Sequence, residues 1–511
     1  MSARGHDIGG LARRLTALTL CLALVLGLLP QPAARASITL EEERKLGKEA
    51  FEEALGQLKL VDDPDCVAYI RAVGDRLVAE IKDSPFTYRF FIADSPELNA
   101  FAIPGGYIVF NRGMITALDS EAELAGVLAH EISHVQLRHM AARIEKATPL
   151  TVATLAGALL GIALASTGVG ALGSAMMMGS MAGGVQAMLA FSREDEAQAD
   201  YNGYQLMTGL GYPGAEMAKS FKRIWAQERL LGSNVPTYLR SHPSSPERME
   251  RIEDMVRRHP RPVRAYDNQE FLRIRMRLNA LYEPVEEISR RLQVSHAENP
   301  RDPLPLYGLA LARIRLGRYD LALAYLDALG RLWPENPLVW REQAKCHLLS
   351  GEYARAQQLY AQTVFRRPQD QEALSGLAQT YLRTEQLEQA RLTLVGLLKL
   401  DPENDQTLYD LGVVLAKQGR VAEGSLYLGR AFLRRGNERT ARYHLTRAEQ
   451  GLAGQPELLK AAQAELEKLE EKTQAKAKRQ AEESRKEEER RRKEEEDTRR
   501  SGRPPWELGR P

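Results

Sequence analysis

Pro334, Pro368 and Pro402 stand 34 residues apart, and other residue classes keep the same interval. Leu306, Trp340, Leu374 and Leu408 are in phase, as are Ala310, Ala344, Ala378 and Gly412, and again Ala322, Ala356, Ala390 and Gly424. Gly317, Gly351, Glu385 and Gly419 fall between the two small-residue positions, where a turn belongs. Small residues at two fixed places let a pair of helices approach, the bulky position fills between them, and proline punctuates each unit. One such unit cannot bury its own apolar face, so the units must stack. The chain is thereby committed, over 301–455, to a helical solenoid with a concave groove suited to a peptide or a partner protein. Leu272, Met276 and Pro300 suggest a degenerate unit upstream, within connecting helices at 263–300, and Glu438 to Ala448 suggest a capping helix.

These spacings and residue classes follow the tetratricopeptide pattern. No such period runs through the first half, which carries His130-Glu131-Ile132-Ser133-His134 instead. Histidines four apart share one side of a helix, so both imidazoles can reach one ion while Glu131 projects beside them. Two neutral nitrogen ligands and a carboxylate able to take a proton from water are the minimum for a zinc hydrolase. Ser120 and Glu123 have capping-box spacing, and Leu124, Val127, Leu128, Ile132 and Val135 supply an inward stripe, so a helix is expected here. His139, five residues beyond His134, falls well round that helix and is expected to be structural or exposed.

A catalytic zinc needs a further protein ligand and one open position. Ser192 to Asp200 opens a charged helix in which Glu196 and Asp200, four apart, share a face. Spacing alone leaves Glu194, Asp195 and Glu196 all eligible. The HExxH motif, then Ser-Arg-x-x-Glu-x-x-Ala-Asp, then His242-Pro243, resembles the HtpX and CAAX-prenyl endopeptidase family of gluzincin metalloproteases. Asn99-Ala100-Phe101-Ala102-Ile103-Pro104-Gly105-Gly106 is similar to that family's signature ahead of the zinc helix. The resemblance implies one Zn2+ held by His130, His134 and Glu196, with Glu131 as catalytic base and Asp200 orienting a ligand histidine. For His242 it implies either a self-inhibitory approach to the metal or stabilisation of the tetrahedral oxyanion. Tyr107 to Phe110 reads as a short strand: exposed beside the cleft it would add a substrate peptide to the sheet, and buried it would be an ordinary hairpin strand.

From Ala147 to Ser192 no residue is charged, and Gly, Ala and Met dominate. Because both flanks feed one site, residues 148–192 are expected to form a hairpin: a lid or plug over the cleft, or a membrane-associated segment. Residues 1–36 carry a basic start, a short apolar run and Ala34-Arg35-Ala36, as in an export signal. Cys66 and Cys346 fall in different expected domains, leaving one disulfide and two separate thiols equally open. With 70 basic and 68 acidic residues, nucleic acid is excluded as the main partner.

The expected fold is mainly α: an α+β gluzincin domain with a small sheet over 37–262, the α-solenoid, and a charged helical or disordered tail over 456–511. A protease followed by such an array behind an export signal resembles envelope quality-control proteases of the periplasm, acting on unfolded or misassembled outer-membrane β-barrel proteins and contacting their assembly machinery. Two other readings remain: a membrane-integral housekeeping metalloprotease, and a chaperone or scaffold with a latched protease site.

Overall fold

The computed structural model describes residues 38–55, 58–146, 191–231, 237–243 and 246–501. The expected signal at 1–36 and nearly all of the uncharged segment, through Ala190, lie outside these residues. Among the described residues no helix is long and apolar enough to cross a membrane. The chain divides into two compact units, Met1–Leu278 and Asn279–Pro511.

The first unit begins with α1 (Leu40–Leu55) and α2 (Pro64–Val78), followed by β1 (Arg89–Ala93), β2 (Ala100–Ile103) and β3 (Tyr107–Asn111). The strands lie in the order β1-β3-β2, with β1 parallel and β2 antiparallel to β3. All five residues of β3 are buried, because the sheet is covered on both faces. Tyr107 and Val109 pack with Phe51, Ala50 and Ala54 of α1, and Phe51 stacks on Tyr107 with ring centroids 4.5 Å apart. Alternation along the strand sends Ile108 and Phe110 to the opposite face. The Tyr107–Phe110 strand is therefore central, and the exposed-strand expectation fails for it. Among the described residues β2 pairs only with β3, so the strand carrying the Asn99–Gly106 motif is an outer one.

A short α3 (Arg112–Ala117) leads into α4 (Glu121–Gln136), the HExxH helix, then α5 (His139–Lys146). After the undescribed stretch come α6 (Arg193–Gly209), α7 (Ala215–Leu231), α8 (Thr237–Ser241) and α9 (Pro246–Arg258). The next helix, Gln269–Tyr282, starts with Arg273 on Asp65 at 2.7 Å and Arg277 clamped on Asp63 by two 2.8 Å bonds. Arg277 is fully buried, so this pair ties the helix to the N-terminus of α2, where Asp63 also caps Cys66 N–H. Leu272 and Met276, the in-phase residues of the degenerate unit, are only half-buried there.

In the second unit the helices pair as the period requires: Pro303–Arg315 with Tyr319–Leu332, Pro337–Leu349 with Tyr353–Arg366, Gln371–Arg383 with Leu387–Leu400, and Asp405–Lys417 with Val421–Arg434. Asp302, Asn336, Asp370 and Asn404 cap the first helix of each pair, each accepting a backbone N–H. Gly317, Gly351 and Gly419 turn between the helices with φ of +67°, +81° and +80°. Glu385 adopts the same left-handed conformation at φ +57° without being glycine. The capping element is a helix pair rather than one helix: Leu458, Leu459, Ala462 and Leu466 of Pro456–Ser501 pack on Leu445 and Ala448 of Glu438–Gly451 and on Leu452 just past it. The expected tail thus starts as core, and its last buried residue among those described is Leu469. Cys66 and Cys346 are free, buried thiols.

Candidate metal centre

The site is built on α4, of which every residue from Glu121 to Val135 is buried. Ser120 caps it by accepting from Glu123 N–H, but the Glu123 carboxylate takes Asp119 N–H rather than that of Ser120. Behind the cap, the Glu121 carboxylate accepts from Tyr69 Oη, Tyr212 Oη and Arg76, placing a negative charge at the positive end of the helix dipole.

Helix α6 crosses α4 at Gly203. A Cβ there would stand 3.0 Å from His130 N and 3.1 Å from the carbonyl carbon of Ala129. That close approach brings Glu196 and Asp200, two and one turns earlier, onto the histidines. His130 Nδ1 lies 3.0 Å from Asp200 Oδ1. The two Nε2 atoms of His130 and His134 are 3.0 Å apart, and each lies 3.5 Å from an oxygen of Glu196. His242, just past α8, adds Nδ1 at 2.9 Å from Glu196 Oε1 and 3.2 Å from His130 Nε2. One ligand atom from each of His130, His134, Glu196 and His242 fits within 4.8 Å of the others.

Three further residues of the site, Arg248, Tyr238 and Phe191, went unforeseen. Arg248 on α9 clamps Asp200 at 2.7 and 2.8 Å, reaches Glu196 Oε2 at 2.5 Å, and lies over the Phe221 ring at 4.4 Å. Tyr238 stacks on His242 with centroids 4.6 Å apart, and Phe191 stacks on His134 at 3.9 Å. His139, expected to be structural or exposed, is buried with Nδ1 2.9 Å from His134 Nδ1. No motif named them, yet the charge balance could have pointed to Arg248, since buried carboxylates require a nearby cation.

Electrostatics follows from burial and that guanidinium. Burial alone would raise Glu196, but Arg248, His242 and His130 hold it well below the usual carboxylate range. Asp200 is likewise lowered, burial being outweighed by Arg248 and the His130 hydrogen bond. Burial pushes Glu131 up, His134 well down and His139 down. His242 is raised because Glu131 and Glu196 outweigh its burial.

Both carboxylate oxygens of Glu131 are buried without a hydrogen-bond partner. Within the cluster, Arg248 pairs with Glu196 and Asp200 while Glu131 faces His242 Nε2 at 3.6 Å, so the carboxylates outnumber the guanidinium. A divalent cation with an attached water would neutralise that excess and give Glu131 a donor, so the donor set fits zinc. A small cleft beside it is lined by His134, Val135 and Phe191 together with Ala102, Ile103 and Pro104, at the end of β2.

Residues 66–256 match Peptidase family M48. The first unit carries an M48 peptidase domain. Residues 307–371, 375–424 and 347–399 match tetratricopeptide repeats. Over 311 residues the chain is 30% identical to a putative beta-barrel assembly-enhancing protease of Vibrio cholerae, covering 59% of this chain and 63% of that one. The beta-barrel assembly-enhancing protease of Escherichia coli K12 is 29% identical over 60% of this chain and 62% of its own. Mitochondrial metalloendopeptidase OMA1 of Schizosaccharomyces pombe is 27% identical over 43% of this chain and 62% of its own. The chain thus spans less than two thirds of the length of each of these relatives.

Proposed function

We propose that this chain is a zinc-dependent endopeptidase of the bacterial periplasm that clears or assists misassembled outer-membrane β-barrel proteins, with its repeat groove selecting substrates or the assembly machinery. The observation that carries the reading is the orphaned Glu131 carboxylate beside four ligand atoms gathered within 4.8 Å. The assembly role rests on the printed names of the bacterial relatives and on the repeats.

His130, His134 and Glu196 would hold the ion, and Asp200, locked by Arg248, keeps His130 turned toward it. When bound, Zn2+ supplies Lewis-acid polarisation of a peptide carbonyl and acidifies a water toward neutrality. Glu131 takes the proton of the attacking water and delivers it to the leaving amine nitrogen, and its burial, which raises its pKa, suits a group that must be both base and acid. The end of β2, beside His134, can align an extended peptide through main-chain bonds with little side-chain preference.

His242 reaches the ligand set itself, against Glu196 and His130, where it would compete with water or substrate for a bound ion. That geometry favours a latch: His242 would occupy the cluster at rest and leave it when substrate engages. Metal analysis and degradation of an unfolded model protein test the reading. Glu131→Gln should retain zinc and lose about three orders of magnitude in rate. His242→Ala should degrade faster than wild type. Purified wild-type protein without zinc, or undiminished proteolysis in Glu131→Gln, rejects it. Periplasmic export predicts a mature N-terminus after Ala36 in fractionated cells.

A further inference from the structure

The two ligand imidazoles have unequal partners on their second nitrogens. His130 has the Asp200 carboxylate, a common arrangement for a metal-bound histidine. His134 has another imidazole, and the backbone is bent to provide it. Helix α4 stops at Gln136, and Arg138 takes φ +55°, a left-handed conformation that disfavours a side chain by about 1 kcal/mol. Its guanidinium holds that conformation through Glu43 Oε2 at 2.7 Å and the Ile38 carbonyl at 2.6 Å. On an unbroken helix His139 would point away from His134. The break swings it back until the rings meet edge-on with centroids 5.0 Å apart and Nδ1 2.9 Å from Nδ1.

The proton arrangement follows from donors and acceptors. The Glu194 carboxylate only accepts, so Gln198 faces it with its NH2 at 2.9 Å, turning the Gln198 carbonyl oxygen toward His139 Nε2 at 3.3 Å. That oxygen also only accepts, so His139 carries its proton on Nε2 and presents a lone pair at Nδ1. His134 must then donate from Nδ1, which leaves the lone pair on Nε2 directed into the ligand cluster.

We propose that His139 is the positioning residue for His134, selecting the Nδ1–H tautomer that binds metal through Nε2, and that Gln198, oriented by Glu194, sets the tautomer of His139 in turn. This rests on His134 being a zinc ligand, as in the function proposed above. The helix break after Gln136 is thereby a device of the metal centre rather than a packing accident. A neutral partner also makes His134 a weaker electron donor than carboxylate-bound His130.

The test measures zinc dissociation constants by competition with a chromophoric chelator, cobalt absorption spectra, and melting of the metal-free full chain. His139→Leu removes the acceptor and should weaken zinc about 10- to 100-fold and alter the cobalt spectrum. His139→Asn keeps an acceptor where Nδ1 was and should stay within about threefold of wild type. Gln198→Leu, at an exposed position that cannot endanger folding, should weaken zinc about two- to fivefold. Equal losses in His139→Leu and His139→Asn would overturn the proposal, as would unchanged zinc affinity in Gln198→Leu together with either His139 variant. Should His139→Leu not fold, the Asn and Gln198 variants still decide. Wild-type protein that binds no zinc would instead sink the peptidase reading itself, a separable result.

Discussion

Arg248→Met removes the cation paired with two buried carboxylates, Glu196 and Asp200, while roughly keeping the side-chain volume. Arg248 makes contacts of 2.5, 2.7 and 2.8 Å to Glu196 and Asp200, and its guanidinium also lies 4.4 Å over Phe221. Breaking a buried pair by deleting one partner costs about 3–5 kcal/mol, and the double engagement with the ring contact puts this case at the upper end. For a unit of this size each kcal/mol moves the melting temperature by about 2–4 °C, so the metal-free variant should melt roughly 10–15 °C below wild type. Zinc places two positive charges beside the same carboxylates. It should therefore restore more stability to the variant than it adds to wild type. Differential scanning calorimetry with chelator and with saturating zinc separates the terms. A metal-free variant melting within about 2 °C of wild type, or an equal zinc-induced rise in both, would refute the charge-balance argument.

Three other outcomes follow from the geometry. Gly203→Ala drives a Cβ to 3.0 Å from His130 N, an obstacle of backbone that cannot rotate away, and should cost about 1–3 kcal/mol while weakening zinc, as chelator competition would read. The raised pKa of His242 means that its contribution to metal-free stability is fully present below about pH 6.5 and lost as pH rises through the higher folded value. Melting profiles of wild type should therefore decline above pH 6.5 relative to His242→Asn, and parallel profiles would count against the carboxylate contacts. Truncation after Lys478 should leave the repeat unit's melting unchanged. Truncation after Gly454 strips Leu458, Leu459, Ala462 and Leu466 from its cap and should cost about 4 kcal/mol.

The solenoid was legible because its information is local and repeated: a small residue at Ala344 and Ala356 does the same work as at Ala378 and Ala390. The caps at Asp302, Asn336, Asp370 and Asn404 follow the same period and could have been read with it. The HExxH pair was legible because four-residue spacing on a helix is itself geometry. Glu196 needed the family resemblance, since Glu194 and Asp195 are as near in sequence but are not among the gathered ligand residues. The strand at Tyr107 was legible as a strand, but not its central place, which depends on where β1 and β2 pair.

Sequence by itself determined the repeat period, the helix bearing both histidines, and the presence of acids enough to complete a metal set. Tertiary structure alone decided that Arg248 balances those acids and that His139 returns to His134. Each of these joins segments whose approach is governed by packing, at Gly203 and at the left-handed Arg138, rather than by any interval along the chain. Periodicity encodes what one helix presents, whereas compensation of buried charge belongs to whichever elements the core brings together.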